Sequence, residues 1–346
     1  MRAFYNRPVS APLDAPFAPP APASAPSSPD ESANDPVDVG CSAVDPLLVN
    51  RGPEAVAAGG HAWHGVEHYE NFPVGSWLVP RRLRPAVLAI YRFARHADDI
   101  ADEGDADAHL RNARLQALHR ELESAERGLA AREPVVGGLT AHVLRHRLSW
   151  RYFHDLLDAF QQDLSVARYP DPEAIGDYCR RSADPVGRLM LELFDAATPA
   201  NHSASDAICS ALQRINFLQD IVIDFRKDRV YLPLSTLASC GLDPQQLGVE
   251  IESGGFSAAT RRAVAIEASR ARRQLLSGRS LLTRVPPRLA WELRFILAGG
   301  LQILDRLQAV DHDVAAGRPT IGWRDAPALL HKALTLSRRK EGSDDA

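Results

Sequence analysis

From about residue 83 to residue 336 one signal repeats almost without a break: apolar residues three and four positions apart, with Arg, Glu or Gln between them. It is visible over 83–93, 111–130, 139–146, 152–164, 172–182, 186–194, 204–225, 258–282, 288–316 and 326–337. Between these runs fall helix-ending and turn residues: Pro134 with Gly137 and Gly138, Pro170, Pro185, Pro199, Pro233, Gly241 with Pro244, and the pair Pro286–Pro287. Alternating, strand-like runs are scarce, and "DRVYLPL" (228–234) is the nearest to one. The pattern predicts an all-α fold, a single helical domain over 61–336, with its helices gathered around a central cavity. No internal repeat of fixed period is present. Residues 1–60, rich in Pro, Ala, Ser and Asp, cannot bury enough apolar surface to offset their ordering entropy and are expected to be disordered. A charged, frayed tail is expected over 337–346.

Composition excludes several classes. With 346 residues, 45% of them hydrophobic, the chain can form a sizeable core. A net charge of −4 gives no basic face for nucleic acid. Cys41, Cys179, Cys209 and Cys240 are scattered without CxxC spacing, which argues against a zinc site or disulfide framework and suits a reducing cytoplasm. No apolar run is long enough to span a bilayer, and the prolines near the N-terminus leave no signal-peptide core. A cytoplasmic protein is expected.

Two segments break the amphipathic rule in the same way. In "LRPAVLAIYRFARHADDIADEGD" (83–105) an apolar helix runs straight into acids. Asp98 and Asp102 are four residues apart and share a helical face, with Arg95 one turn earlier. In "LQRINFLQDIVIDFRKDR" (212–229) Asn216, Asp220 and Asp224 recur at four-residue spacing on an otherwise apolar helix, with Gln213 a turn earlier and Arg226, Lys227 and Arg229 directly after. Like charges on one face repel. Each stripe alone has an ordinary explanation: a solvated helix end for the first, as Glu103, Asp105 and Asp107 suggest, and a buried polar network for the second. Together they suit one task, holding hard divalent cations between two helices. Mg²⁺ takes oxygen ligands and is usually held by a few carboxylates plus substrate phosphate. Nearby Arg and Lys would meet the phosphate oxygens. Beside an apolar helical pocket, the chemistry suggested is loss of diphosphate from a prenyl chain, the resulting carbocation being shielded by apolar walls.

Five ordered patches carry a more specific resemblance: "HYENFPVGSWLVP" (68–80), "AIYRFARHADDIADE" (89–103), "YCRRSADPVGRLML" (178–191), "LQRINFLQDIVIDFRKDRVYLP" (212–233) and "LRFILAGGLQIL" (293–304). The chain resembles the squalene/phytoene synthase family. That resemblance implies the class I terpenoid synthase fold. It also implies Mg²⁺ held by Asp98, Asp102, Asn216, Asp220 and Asp224, with Arg95, Gln213, Arg229 and Tyr231 near the diphosphate and Tyr178 among the catalytic residues. The first and third patches resemble the branch that forms hydroxysqualene in bacterial hopanoid biosynthesis. The expected substrate is then presqualene diphosphate, ionised with Mg²⁺ and captured by water without a reductant. Asn71 and Pro73 stand where condensing relatives tend to carry serines. Two readings stay open beside it: a head-to-head condensing squalene, presqualene diphosphate or phytoene synthase, and a non-catalytic partner that binds prenyl diphosphates.

Smaller assignments follow. Asp184 before Pro185 is expected to N-cap a helix. His68, Tyr69, Tyr91, Tyr178 and Tyr231 are candidates for placing the capturing water. The basic stretches 81–84 and 261–273 either face anionic lipid or pair with nearby acids. Hand-off of an apolar product to another squalene-pathway enzyme, or peripheral membrane contact, is left open.

Overall fold

The computed structural model describes residues 78–336. The predicted segments 1–60 and 337–346 lie outside that range, as do His68, Tyr69, Asn71 and Pro73. Among the described residues the fold is all-α. The helices are α1 (Arg84–Asp102), α2 (Ala108–Glu126), α3 (Pro134–His146), α4 (Arg151–Asp163), α5 (Pro172–Ser182), α6 (Asp184–Leu193), α7 (Pro199–Gln219), α8 (Ile221–Arg226), α9 (Leu234–Ser239), α10 (Pro244–Ser253), α11 (Ala258–Ser277), α12 (Pro287–Ala309) and α13 (Ala326–Thr335). The strand-like "DRVYLPL" forms only an isolated bridge, Val230 with Arg168.

Much of the sequence punctuation works as helix starts, although Gly137 and Gly138, read as a break, lie inside α3. Pro134, Pro172, Pro199, Pro244 and Pro287 each open a helix, where the missing N–H has no partner to lose. Side chains cap the orphaned amides: Asp171 accepts from the amide of Ala174, Thr198 from Asn201 and Ser257 from Thr260, and Asp243 forms a capping box with Gln246. Two short helices, α9 and α10, of 6 and 10 residues, are not among the periodic runs read from the sequence.

α7 is the axis of the molecule. It packs on α5, α6, α11 and α12, and every residue from Ser210 to Ile221 is buried. A helix enclosed on all sides is ordinarily apolar throughout. This one buries Gln213, Arg214, Asn216 and Gln219 as well, followed by Asp220. Arg214 reaches Glu267 of α11 (3.8 Å) and the carbonyl of Pro172 (2.7 Å), and Thr236 donates to Glu267 (2.7 Å), so part of this polarity ties neighbouring helices together. α1 and α4 meet through an edge-on pair, Phe93 and Phe153, at 5.5 Å.

Where α11 gives way to a turn of 3₁₀ helix, Gly278 lies directly on α7. A Cβ there would stand 2.6 Å from the carbonyl oxygen of Ala204 and 2.4 Å from Ile208. The backbone oxygen cannot swing aside, so Gly278→Ala is expected to cost about 1–3 kcal/mol. Urea denaturation would measure it, and an unchanged midpoint would contradict this packing.

Candidate active site

α1 buries Val87, Ile90, Phe93, Ala94 and Ala97, and the same face continues to Asp98 and Ala101. The helical period therefore carries Asp98 inward while Asp99 stays partly exposed. Carboxylates at a helix C-terminus oppose the macrodipole, each by about 0.3–1 kcal/mol when exposed. Cations collect accordingly. Arg95 contacts Asp98 (3.4 Å), Asp99 (2.6 Å) and Glu103 (2.5 Å). Arg111 donates to the carbonyls of Ala101 (2.5 Å), Gly104 (2.6 Å) and Ala106 (2.7 Å), closing the end of α1. Burial raises the Asp99 carboxyl, against the opposing pull of Arg95.

The second acidic stretch departs from the continuous helix its spacing predicts over 204–225. α7 ends at Gln219, Asp220 takes φ −105° and ψ 13°, and α8 begins at Ile221. The register survives this bend. The amide of Asp220 still donates to the Asn216 carbonyl (3.0 Å), and that of Asp224 to the Asp220 carbonyl (2.7 Å). Asn216, Asp220 and Asp224 are all buried, with exposures of 1%, 4% and 4%.

The two stretches meet through the cations that follow α8. Arg229 donates from both terminal nitrogens to Asp102 Oδ1 (3.1 and 3.2 Å), and Lys227 Nζ lies 3.6 Å from Asp102 Oδ2. The same guanidinium donates to the Asp163 carbonyl at the end of α4 (3.0 Å). Among the residues named from sequence, Asp102 and Arg229 are thus in direct contact. Tyr178 and Tyr231 join them through Asp163, whose Oδ2 and Oδ1 accept their hydroxyls at 2.9 and 3.4 Å. Gln213 is fully buried one turn before Asn216.

Two participants were not visible in the sequence. Arg318, in the irregular stretch after α12, donates from Nε to Asp220 Oδ1 (2.5 Å), and beside it Gln219 holds the Pro319 carbonyl (2.7 Å). "AAGRPTIGW" has no periodicity, and nothing local ties it to a residue 98 positions away. Asp163, in "QQDL" at the end of α4, carries no pattern that singles it out, yet it is buried.

The donor set is all oxygen, carboxylates and one amide, and suits a hard divalent cation. Among the described residues no three acids, histidines or cysteines converge closely enough to hold a metal by themselves. Asp98, Asp102 and Asp220 are instead engaged by Arg95, Arg229 with Lys227, and Arg318. The residues fit Mg²⁺ in the way that ion is commonly bound, through one or two carboxylates at a time with substrate phosphate completing the shell.

The squalene/phytoene synthase family model matches residues 66–325, a span that includes every residue of this cluster. The chain belongs to the squalene/phytoene synthase family. Relatives include a hydroxysqualene synthase of Zymomonas mobilis, 40% identical over 185 residues, which cover 52% of this chain and 60% of that protein. Another, from Sinorhizobium fredii, is 35% identical over 244 residues, 70% of this chain and 80% of that one. The aligned part thus spans about three fifths of the Zymomonas relative's length. A crystal structure of a squalene synthase from Alicyclobacillus acidocaldarius superposes with a TM-score of 0.65 at 37% identity, over 71% of this chain and 90% of that one. The fold is the class I terpenoid synthase fold, and the family is one of enzymes that process prenyl diphosphates.

Asp184, in this family member, does not cap α6. Ala183 is the N-cap, and Asp184 lies in the first turn, its side chain turned to α7, where Oδ1 accepts from Ser210 Oγ (2.7 Å). It is 2% exposed. Burial first, then the nearby Asp206, pushes its carboxyl up to about 8. The capping signal of Asp before Pro was overridden because the sharp α5–α6 junction points this side chain into the interior.

Three arginines of the basic stretch over 261–273 are engaged within the fold. Arg261 contacts Asp311 and Asp313 (both 2.8 Å), Arg270 contacts Glu267, and Arg272 contacts Asp305 (2.7 Å). Among the described residues no helix is long and apolar enough to cross a membrane.

Proposed function

We propose that the protein is a hydroxysqualene synthase, converting presqualene diphosphate and water to hydroxysqualene and diphosphate with Mg²⁺. The observation that carries this reading is the contact of Arg229 and Lys227 with Asp102, which joins the two acidic stretches into one charged cluster beside an aromatic wall. The relatives named hydroxysqualene synthase support the choice within the family.

In this reading Asp98 and Asp102 on α1, with Asn216, Asp220 and Asp224 of the second acidic stretch, would hold Mg²⁺. Bound Mg²⁺ supplies Lewis-acid neutralisation of the charge that builds on the departing diphosphate. Arg95, Arg229, Lys227 and Arg318 exchange their carboxylate partners for diphosphate oxygens, where charge-assisted hydrogen bonds are strongest in a buried setting. Gln213 donates from the same side of α7. Tyr231, stacked on Phe217 at 3.9 Å and on Tyr169 at 5.6 Å, belongs to a buried aromatic cluster whose apolar surface excludes bulk water until capture. Product release to a partner enzyme or at a membrane surface, in the cytoplasm, completes this reading.

The test is a product assay with Mg²⁺ and no nicotinamide cofactor, presqualene diphosphate and farnesyl diphosphate being supplied separately. Hydroxysqualene from the first alone is expected. A C30 product or presqualene diphosphate from farnesyl diphosphate would identify a condensing synthase instead. No turnover of either would identify a non-catalytic binder.

A further inference from the structure

Water capture leaves a proton to be removed, and the cluster described above contains a carboxylate to which the proposed function assigns neither Mg²⁺ nor diphosphate. Asp163, the last residue of α4, is buried among rings. Tyr178 of α5 donates its hydroxyl to Oδ2 at 2.9 Å, and Tyr231, after α8, approaches Oδ1 at 3.4 Å. Tyr169, Tyr178, Phe217 and Tyr231 pack with Ile175 and Cys179 as a small aromatic core of their own, apart from the main one. Ring centroids are 6.1 Å apart for Tyr178 and Phe217 and 6.0 Å for Tyr178 and Tyr231. Phe217 follows Asn216 directly. The backbone carbonyl of Asp163 accepts from Arg229, which also donates to Asp102.

A buried carboxylate costs several kcal/mol of desolvation unless it is hydrogen-bonded or paired. An aromatic core needing only shape would do better with Asn or Leu at 163. With its proton committed to Asp163, the Tyr178 oxygen can offer another group only a lone pair. That makes it an acceptor for a water O–H and leaves Asp163 as the base behind it.

We infer that Asp163, acting through the Tyr178 hydroxyl, receives the proton lost when water captures the carbocation. This rests on the hydroxysqualene synthase reading. The balance is simple. The carbon–oxygen bond to diphosphate breaks and its electron pair leaves with diphosphate. After rearrangement a water lone pair forms the new carbon–oxygen bond. One proton of the resulting oxonium moves to Tyr178 Oη, and the proton already on that oxygen moves along its hydrogen bond to Asp163 Oδ2. Nothing is oxidised or reduced, and Asp163 returns its proton to solvent as product leaves. Asp163 is a positioning residue and proton store, while Tyr178 is the group that touches the water.

The experiment uses the full-length chain with Mg²⁺ and presqualene diphosphate, measuring diphosphate released and C30 products separately. Wild type, Asp163→Asn, Tyr178→Phe and the double variant are compared by alcohol formed per diphosphate released, a ratio that a loss of folded protein does not move. Each single variant is expected to lower that ratio at least about tenfold, with alkenes from proton loss at carbon in place of alcohol, and the double variant to match the singles. Should Asp163→Asn fail to fold, Tyr178→Phe keeps the ring and still reports on the relay. A wild-type ratio in either variant would overturn the relay alone, leaving diphosphate as the base. Wild type that forms no alcohol would overturn the functional reading and the relay with it.

Discussion

In the proposed hydroxysqualene synthase reaction, Asp220→Asn is expected to lower turnover of presqualene diphosphate by about 10³-fold, a loss of ~4 kcal/mol in transition-state stabilisation. Asp220 is buried at the bend between α7 and α8, so its negative charge acts in a low-dielectric setting where water screens it little. The amide is close in size and can still accept the hydrogen bond from Arg318, and that arginine is partly exposed and free to turn outward. The fold should therefore survive, and the defect should fall on ionisation. The signature is a fall in kcat that excess Mg²⁺ does not restore, with an unchanged thermal midpoint. Asp99→Asn is the contrast: its carboxylate is 39% exposed and turned to Arg95, and its removal should change the rate less than about threefold. Equal losses in the two variants would contradict the assignment of the buried stripe.

The second large effect is on stability and has the opposite sign. Asp184→Asn is expected to stabilise the protein by about 5 kcal/mol at pH 8, with the gain vanishing near pH 4. In the folded chain the Asp184 carboxyl is held up to about 8, whereas in the unfolded chain it titrates near 3.8. A folded value above the unfolded one means the unfolded state sheds this proton first. Stability linked to the group is complete below about pH 4 and is lost as pH rises toward 8, by about 1.4 kcal/mol per unit across that window. The variant carries no such proton, and its amide oxygen can still accept from Ser210. Urea denaturation at pH 5 and pH 8 measures the difference, and an equal gap at both values would contradict a protonated, buried Asp184.

The relation between sequence and structure is uneven along the site. The first acidic helix was legible because its apolar period runs unbroken into Asp98, so burial followed from spacing. The second was legible in register but not in shape: the four-residue spacing of Asn216, Asp220 and Asp224 persists, while the chain bends at Asp220 and begins a new helix. Asp184 shows the limit of a local rule. Aspartate before proline is a good cap in isolation, but here the backbone between α5 and α6 has no extended residue for a cap to occupy, since Ala183 sits at φ −122° and ψ −48°.

Arg318 and Asp163 mark what no local pattern can reveal. Arg318 reaches Asp220 across 98 residues, and Tyr231 reaches Asp163 across 68. By itself the sequence determined the helical class, the positions of most helix starts, the two acidic faces and the family, because periodicity, proline and capping act within a few residues. Tertiary structure alone decided which distant cations neutralise Asp102 and Asp220 and which buried acid receives the tyrosine hydroxyls. Those choices depend on where distant segments come to rest after packing, and a buried charge must find its partner in space rather than along the chain.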